Sequence, residues 1–184
     1  MNRRGTTCYL VGENATTLAC AEALLERGWR IVAVVTAYVP LSTWCERHGV
    51  SVKASHASLT CAVERGFSVV YRRILPDRVL RLASTWVNYH NSLLPKDAGV
   101  NADFWAIVRG DTETGITWHR MTSTFDAGDV LVQSRWSLAL DETRASLGIC
   151  SHAAAVEAFC SLLGDEPTPV PQDLSLRTVV DYAT

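Results

Sequence analysis

The stretch "TCYLVGENATTLACAEALLERGWRIVAVV", residues 7–35, decides the fold class. "TCYLVG" is a short β-like run. "ENATTLACAEALLERGW" then sets Leu18, Ala21, Leu24 and Leu25 at helical spacing. Asn14 or Thr16 can cap that helix, and Gly28 can stop it. "RIVAVVTAYV" follows, rich in β-branched residues and uninterrupted by charge after its first residue, as a strand buried in a parallel sheet must be. Strand, helix and strand in this order predict an open, mostly parallel sheet.

Further along, "LSTWCERHGV" reads as a short helix and "SVKAS" as a short edge strand. "LTCAVERG" reads as another brief helix, and "FSVVYRRIL" as a strand running into Pro76. "PDRVLRLAS" is a helical turn or two opened by proline. "TWVNYHNS" is a strand, and after a long loop "TGITWHRMT" and "DVLVQSRWSLA" alternate as a hairpin-type pair. "TRASLGICSHAAAVEAFCSLLG" closes with a helix ending at Gly164. The expected fold is α/β, a Rossmann-like open, mostly parallel sheet with helices on both faces, over residues 1–164. Pro167, Pro169 and Pro171 mark residues 165–184 as a proline-containing C-terminal tail or linker.

A chain of 184 residues fits one domain, burying roughly two-thirds of its unfolded surface. A formal charge of −2 argues against a broad nucleic-acid face or a polybasic membrane anchor. No apolar run approaches the ~20 residues of a membrane helix, and "CYLV" is too short for the core of a signal peptide. The six cysteines form no CxxC and no zinc spacing, so no metal is expected. They read as reduced, mostly buried residues of a cytoplasmic protein. The first turn has only Gly12, and GxxxxGK[ST] is absent, which argues against dinucleotide and P-loop binding.

"VNYHNSLLPKDAG", residues 87–99, places Asn88 and His90 two apart on a strand, where both project from one face at its carboxyl end. They can be two satisfied polar residues at a strand end or part of a site. Asp126, in "TSTFDAGDVLVQ", sits in a turn where Asp-x-Gly is common, and it can return beside His90 if the hairpin packs at the same edge. Asp129 reads as a turn or strand-start residue.

"NYHNSLLP", "GVNADFWAIVRGDTETGITWHRM" and "FDAGDVLVQ" together resemble the signature of the folate-dependent formyltransferases. The resemblance covers roughly residues 7–164 and is strongest over 69–133. "AEALLERGWRIVAVVT", "AGVNA" and "PQDLSLRT" resemble more narrowly the formyltransferase domains at the front of nonribosomal peptide and hybrid polyketide–peptide synthetases.

The resemblance implies a catalytic triad of Asn88, His90 and Asp126 and a co-substrate, 10-formyltetrahydrofolate, with no metal. It implies that the pterin is held by the backbone of two loops, Arg73, Ile74 and Leu75 in one and Met121, Thr122, Ser123, Thr124 and Phe125 in the other. In that chemistry an unprotonated amine attacks the formyl carbon. Asn88 and a protonated His90 donate to the oxygen as it becomes negative, and such donors lower the barrier by about 3–4 kcal/mol. Asp126 favours and orients the imidazolium and helps move the amine proton. Thr117 and His119 become supporting residues, although buried polar packing also accounts for His119. Phe104 and Trp105 read as anchors of the helix after the loop. Asp97 stands where the family commonly carries an aromatic residue or an arginine near the acceptor entrance, which leaves the acceptor open.

The expected acceptor is the α-amino group of a carrier-protein-bound aminoacyl thioester, with a folate as the small-molecule partner and neither nucleic acid nor membrane. The alternatives are a nucleotide-linked amino-sugar N-formyltransferase and a non-catalytic folate-binding or docking domain of a megasynthase.

Overall fold

Gly12 closes the first strand, β1 (Thr7–Gly12), where a methyl group would overlap the Val69 carbonyl and the Thr17 side chain. That close approach lets Thr17 Oγ1 donate to the Val69 carbonyl oxygen at 2.9 Å and seats helix α1 (Ala15–Glu26) over the strands. Asn14 is the N-cap, its side chain accepting the Thr17 N–H at 3.1 Å, as the sequence predicts. This computed structural model describes residues 5–164 and 167–181; the basic start at residues 1–4, the first two residues of the expected tail and residues 182–184 lie outside them.

The chain divides into two compact units, with the boundary between Asn88 and Tyr89. The first continues through β2 (Arg30–Val35), α2 (Val39–Arg47), the two-residue strand β3 (Val52–Lys53), β4 (Val63–Val69), the single turn α3 (Asp77–Leu80) and β5 (Ala83–His90). Its strand order is β3-β2-β1-β4-β5, with β1 parallel to both β2 and β4 and β2 parallel to β3. Cys8, Leu10, Val11, Val34 and Val35 are almost wholly buried. An uncharged run in a parallel sheet is expected to end this way.

"LTCAVERG" departs from its predicted helix: β4 begins inside it, at Val63. Two long-range contacts override the local helical spacing. Val63 N–H donates to the Leu82 carbonyl at 2.8 Å, and at Gly66 only a hydrogen fits against the Trp86 indole.

The last two residues of β5, Tyr89 and His90, open the second unit. It holds β6 (Ala98–Gly99), α4 (Ala102–Arg109), β7 (Glu113–Arg120), β8 (Val130–Ser137), α5 (Arg144–Leu162) and β9 (Val179–Val180). β7 and β8 are antiparallel, and β6 pairs with β9 in parallel. α5 is long and apolar enough to cross a membrane by length and composition, yet it packs on β7 and β8 as a core helix. Leu147, Ser151, Ala155, Phe159 and Leu162 form its buried stripe. Thr143 and Ser146 cap its start reciprocally. On α4 the buried residues are Ala102 and Ala106, whereas Phe104 is exposed and stacks edge-on against Trp105. The alanines let the helix lie close, so Phe104 is no anchor.

The described part of the proline-containing segment expected as a tail or linker, residues 167–181, is bonded into this unit. Val170 and Val130 exchange backbone hydrogen bonds at 2.8 Å each, and β9 lies along β6. All six cysteines are free; Cys8, Cys20 and Cys45 are buried, Cys160 is half-buried, and Cys61 and Cys150 are exposed. Burial pushes the Cys45 thiol up to about 11, away from reactivity.

Candidate active site

β5 ends on alternating faces. Tyr89 packs against Trp118, ring centroids 5.4 Å apart, while His90 turns the other way and is 5% exposed. The loop after it is held tightly. Thr117 Oγ1 donates to the Ser92 carbonyl at 2.6 Å and accepts the Leu94 N–H at 3.1 Å, and Ser92 Oγ donates to the Lys96 carbonyl at 2.7 Å. Thr117 is thus a support for the Ser-Leu-Leu-Pro loop. The loop brings the Asp97 carbonyl to 2.8 Å from His90 Nε2, and since a carbonyl can only accept, Nε2 carries the proton.

Asp97 itself is buried at a left-handed φ of 58°. Its carboxylate takes Arg109 Nη2 at 2.5 Å, and its N–H donates to Thr178 Oγ1 at 2.8 Å. Arg109 also holds Asp111 at 2.7 Å, which Lys96 reaches at 2.8 Å. These cations keep the Asp111 carboxyl below its ordinary range, the Arg109 hydrogen bond foremost.

Asp126 sits in the β7–β8 connection at φ 52°, a left-handed position that aspartate tolerates better than most residues. Its Oδ2 lies 3.6 Å from His90 Nδ1 and accepts the Gly99 N–H at 2.9 Å; its Oδ1 lies 3.5 Å from His119 Nε2. His119 is almost wholly buried, and its Nδ1 donates to the Arg120 carbonyl at 2.9 Å. A register shift between Trp118 and His119 re-aims that ring.

Each imidazole therefore has one N–H committed to a backbone carbonyl and its other nitrogen facing the same carboxylate. With both rings neutral, two lone pairs would oppose Asp126. One proton on either ring converts repulsion into a charge-assisted contact. Burial pushes His90 below its ordinary value, opposed by the Asp126 charge and the Asp97 carbonyl. For Asp126, burial works against the carboxylate, but His119, His90 and the Gly99 amide outweigh it and bring the group to about 2.

The structure thus brings His90 and Asp126 together and adds His119. Asn88 lies two residues before His90 on β5, half-buried. For His90 to donate directly to a substrate oxygen, as the resemblance implies, Nε2–H must leave the Asp97 carbonyl. Of the first expected folate loop, Arg73 and Ile74 are exposed, whereas Leu75 is buried. Of the second, Thr122 to Phe125 are exposed and Met121 is half-buried. Among the described residues, the backbone groups of 73–75 and of 121–123 make no hydrogen bond within the chain.

Sequence reading missed the roles of the Gly99 amide and the Asp97 carbonyl, because backbone groups leave no residue-type signal. It also missed Gln172, whose Nε2 donates to the Asp126 and Gly128 carbonyls at 3.0 and 2.6 Å. The quoted "PQDLSLRT" was the available signal.

Over 81 residues the chain is 44% identical to a GDP-perosamine N-formyltransferase of Brucella melitensis, a match covering 44% of this chain and 31% of that protein. The matched region thus spans about a third of that curated relative. The N-formyltransferase from Helicobacter canadensis, solved with folinic acid and dTDP-3-aminofucose, superposes with a TM-score of 0.81 at 16% identity, covering 96% of this chain and 70% of that one. Glycinamide ribonucleotide transformylase 1 from Symbiobacterium toebii gives 0.74 at 17% identity and 86% of both chains. At these identities the two structures establish a shared fold. The profile described as formyl transferase matches residues 21–163, about three-quarters of the sequence, and with it the segment carrying His90, His119 and Asp126, so the chain belongs to the formyl transferase family.

Proposed function

We propose that the protein transfers the formyl group of 10-formyltetrahydrofolate to the amine of a nucleotide-linked amino sugar. The observation that carries the transfer reading is the carboxylate of Asp126 shared by His90 and His119 in a chain of this family. The sugar acceptor rests on the named relatives, which include a GDP-perosamine enzyme and one solved with dTDP-3-aminofucose. They favour a sugar-linked amine over the carrier-bound aminoacyl thioester expected from the sequence.

The folate supplies the one-carbon unit at the formyl oxidation level. Arg73, Ile74 and Leu75, and Met121 to Phe125, would hold its pterin through backbone groups. The amine nitrogen bonds to the formyl carbon, and the carbon–nitrogen bond to the folate breaks. Asn88 donates its amide N–H to the formyl oxygen as charge grows there, a contribution of about 3 kcal/mol. Asp126 with its two imidazoles takes the proton released by the amine and returns one to the departing folate nitrogen. Burial of His90 keeps its imidazole able to accept at neutral pH.

The test is incubation of the full chain with 10-formyltetrahydrofolate and, separately, GDP-perosamine, dTDP-3-aminofucose, glycinamide ribonucleotide and an aminoacyl carrier thioester, read by mass. A gain of one formyl group on an amino sugar is the expected result. A gain only on the thioester would overturn the acceptor, and folinic acid binding with no transfer to any amine would overturn catalysis.

A further inference from the structure

The segment after α5 touches both loops that frame Asp126, and nothing in the transfer chemistry accounts for it. On one side, Gln172 Nε2 donates to the carbonyls of Asp126 and Gly128 at 3.0 and 2.6 Å. Arg177 Nη2 donates to the Phe125 carbonyl at 3.1 Å, and its guanidinium lies 4.6 Å above the Phe125 ring. Val170 bridges Val130 at the start of β8.

On the other side, β9 pairs with β6. Ala98 N–H donates to the Thr178 carbonyl at 2.9 Å, Val100 N–H to the Val180 carbonyl at 3.2 Å, and Thr178 Oγ1 receives the Asp97 N–H at 2.8 Å. Gly99 lies between these pairings at φ 113°, where a methyl would overlap the Val180 carbonyl. The β6 loop supplies the Asp97 carbonyl that fixes His90 and the Gly99 amide that fixes Asp126.

We propose that residues 170–181 form a strap that clamps the Phe125–Gly128 turn to the Asp97–Val100 loop, with Gln172 and Arg177 as positioning residues that hold Asp126 against His90 and His119. The proposal rests on the formyl-transfer reading only for its consequence in catalysis. The geometry stands without it. Three carbonyls of a strained turn are supplied with donors from one segment. The same segment, through β9, grips the loop whose amide meets the Asp126 carboxylate. Removing either grip lets a left-handed aspartate relax to a commoner backbone conformation and swing its carboxylate away.

The test reads the histidines directly and needs no acceptor. In the full chain, the imidazoles of His90 and His119 are titrated by NMR, assigned through His90→Gln and His119→Gln. Gln172→Met keeps the volume and removes the donor; Arg177→Met does the same, Arg177→Lys returns a donor, and the exposed Leu176→Ala is the control.

With the strap, the His90 midpoint falls by about half a pH unit or more in Gln172→Met and Arg177→Met, because the carboxylate that supports its charge has moved. It stays at the wild-type value in Arg177→Lys and Leu176→Ala. Coincident titrations in wild type, Gln172→Met and Arg177→Met would overturn the proposal.

Amide exchange in the wild-type chain covers the case in which a variant does not fold. The Ala98, Gly99 and Val170 amides are expected to open together, with protection within about threefold. Free exchange at Ala98 and Val170 beside a protected Gly99 would also overturn the strap. A strap confirmed in a chain that formylates no amine would refute the proposed function alone.

Discussion

At Asp126 a largely buried carboxylate is kept ionised by neighbours that outweigh its desolvation, which makes the residue a stability determinant as well as the proposed proton site. Its folded value of about 2 lies below the ordinary 3.8, so the unfolded chain binds the proton more readily. The stabilisation is complete above about pH 4 and is lost as pH falls through 2; it is on the order of 2 kcal/mol. His90 is also depressed, so its contribution is present above its ordinary 6.5 and is lost as pH falls below that. Denaturation midpoints from pH 5 down to 2.5 should therefore fall more steeply in wild type than in Asp126→Asn. Parallel curves would refute this linkage. The meeting of His90 with Asp126 was legible as a possibility from their places at the ends of their segments, and Asn88 remains a proposed member of the site. His119 was legible only as a supporting residue; its contact with Asp126 was not, because a buried histidine on a strand has many fates and a register shift decides this one.

Among the elements, the loop from Ser92 to Gly99 does most to set the site, and Asp97 is its keystone. Its carboxylate is buried against Arg109, while its carbonyl sets the His90 tautomer. Arg109→Ala would leave a buried charge without its partner, at an expected cost of about 2–3 kcal/mol in denaturant unfolding. Equal stability in the variant would show that Asp97 does not depend on Arg109. The family pattern commonly has an aromatic residue or an arginine at this position, whereas here a carboxylate is paired with an arginine twelve residues on. Element types were legible where period and caps agreed, as in β1 and α1. They were not at "LTCAVERG", where a strand is imposed by partners distant in sequence, nor in the proline segment, whose order comes from bonds to loops rather than from its own pattern.

Over the whole chain, the parallel order of the first unit follows from uncharged runs separated by a capped helix, a pattern any reader of residues 7–35 can see. The second unit had to be assembled from contacts at long separation: Asp126 with Gln172, Gly99 with Val180, Thr117 with Ser92. The centre proposed for transfer is a single carboxylate held by two imidazoles, two loops and the proposed strap. The most direct test of that centre is the single-turnover rate of formyl transfer from 10-formyltetrahydrofolate to an amino-sugar acceptor in wild type and Asp126→Asn, with folinic acid affinity measured alongside. The account expects a loss of about 100-fold or more in rate, with folinic acid affinity unchanged within about threefold. A variant that transfers formyl as fast as wild type would contradict it.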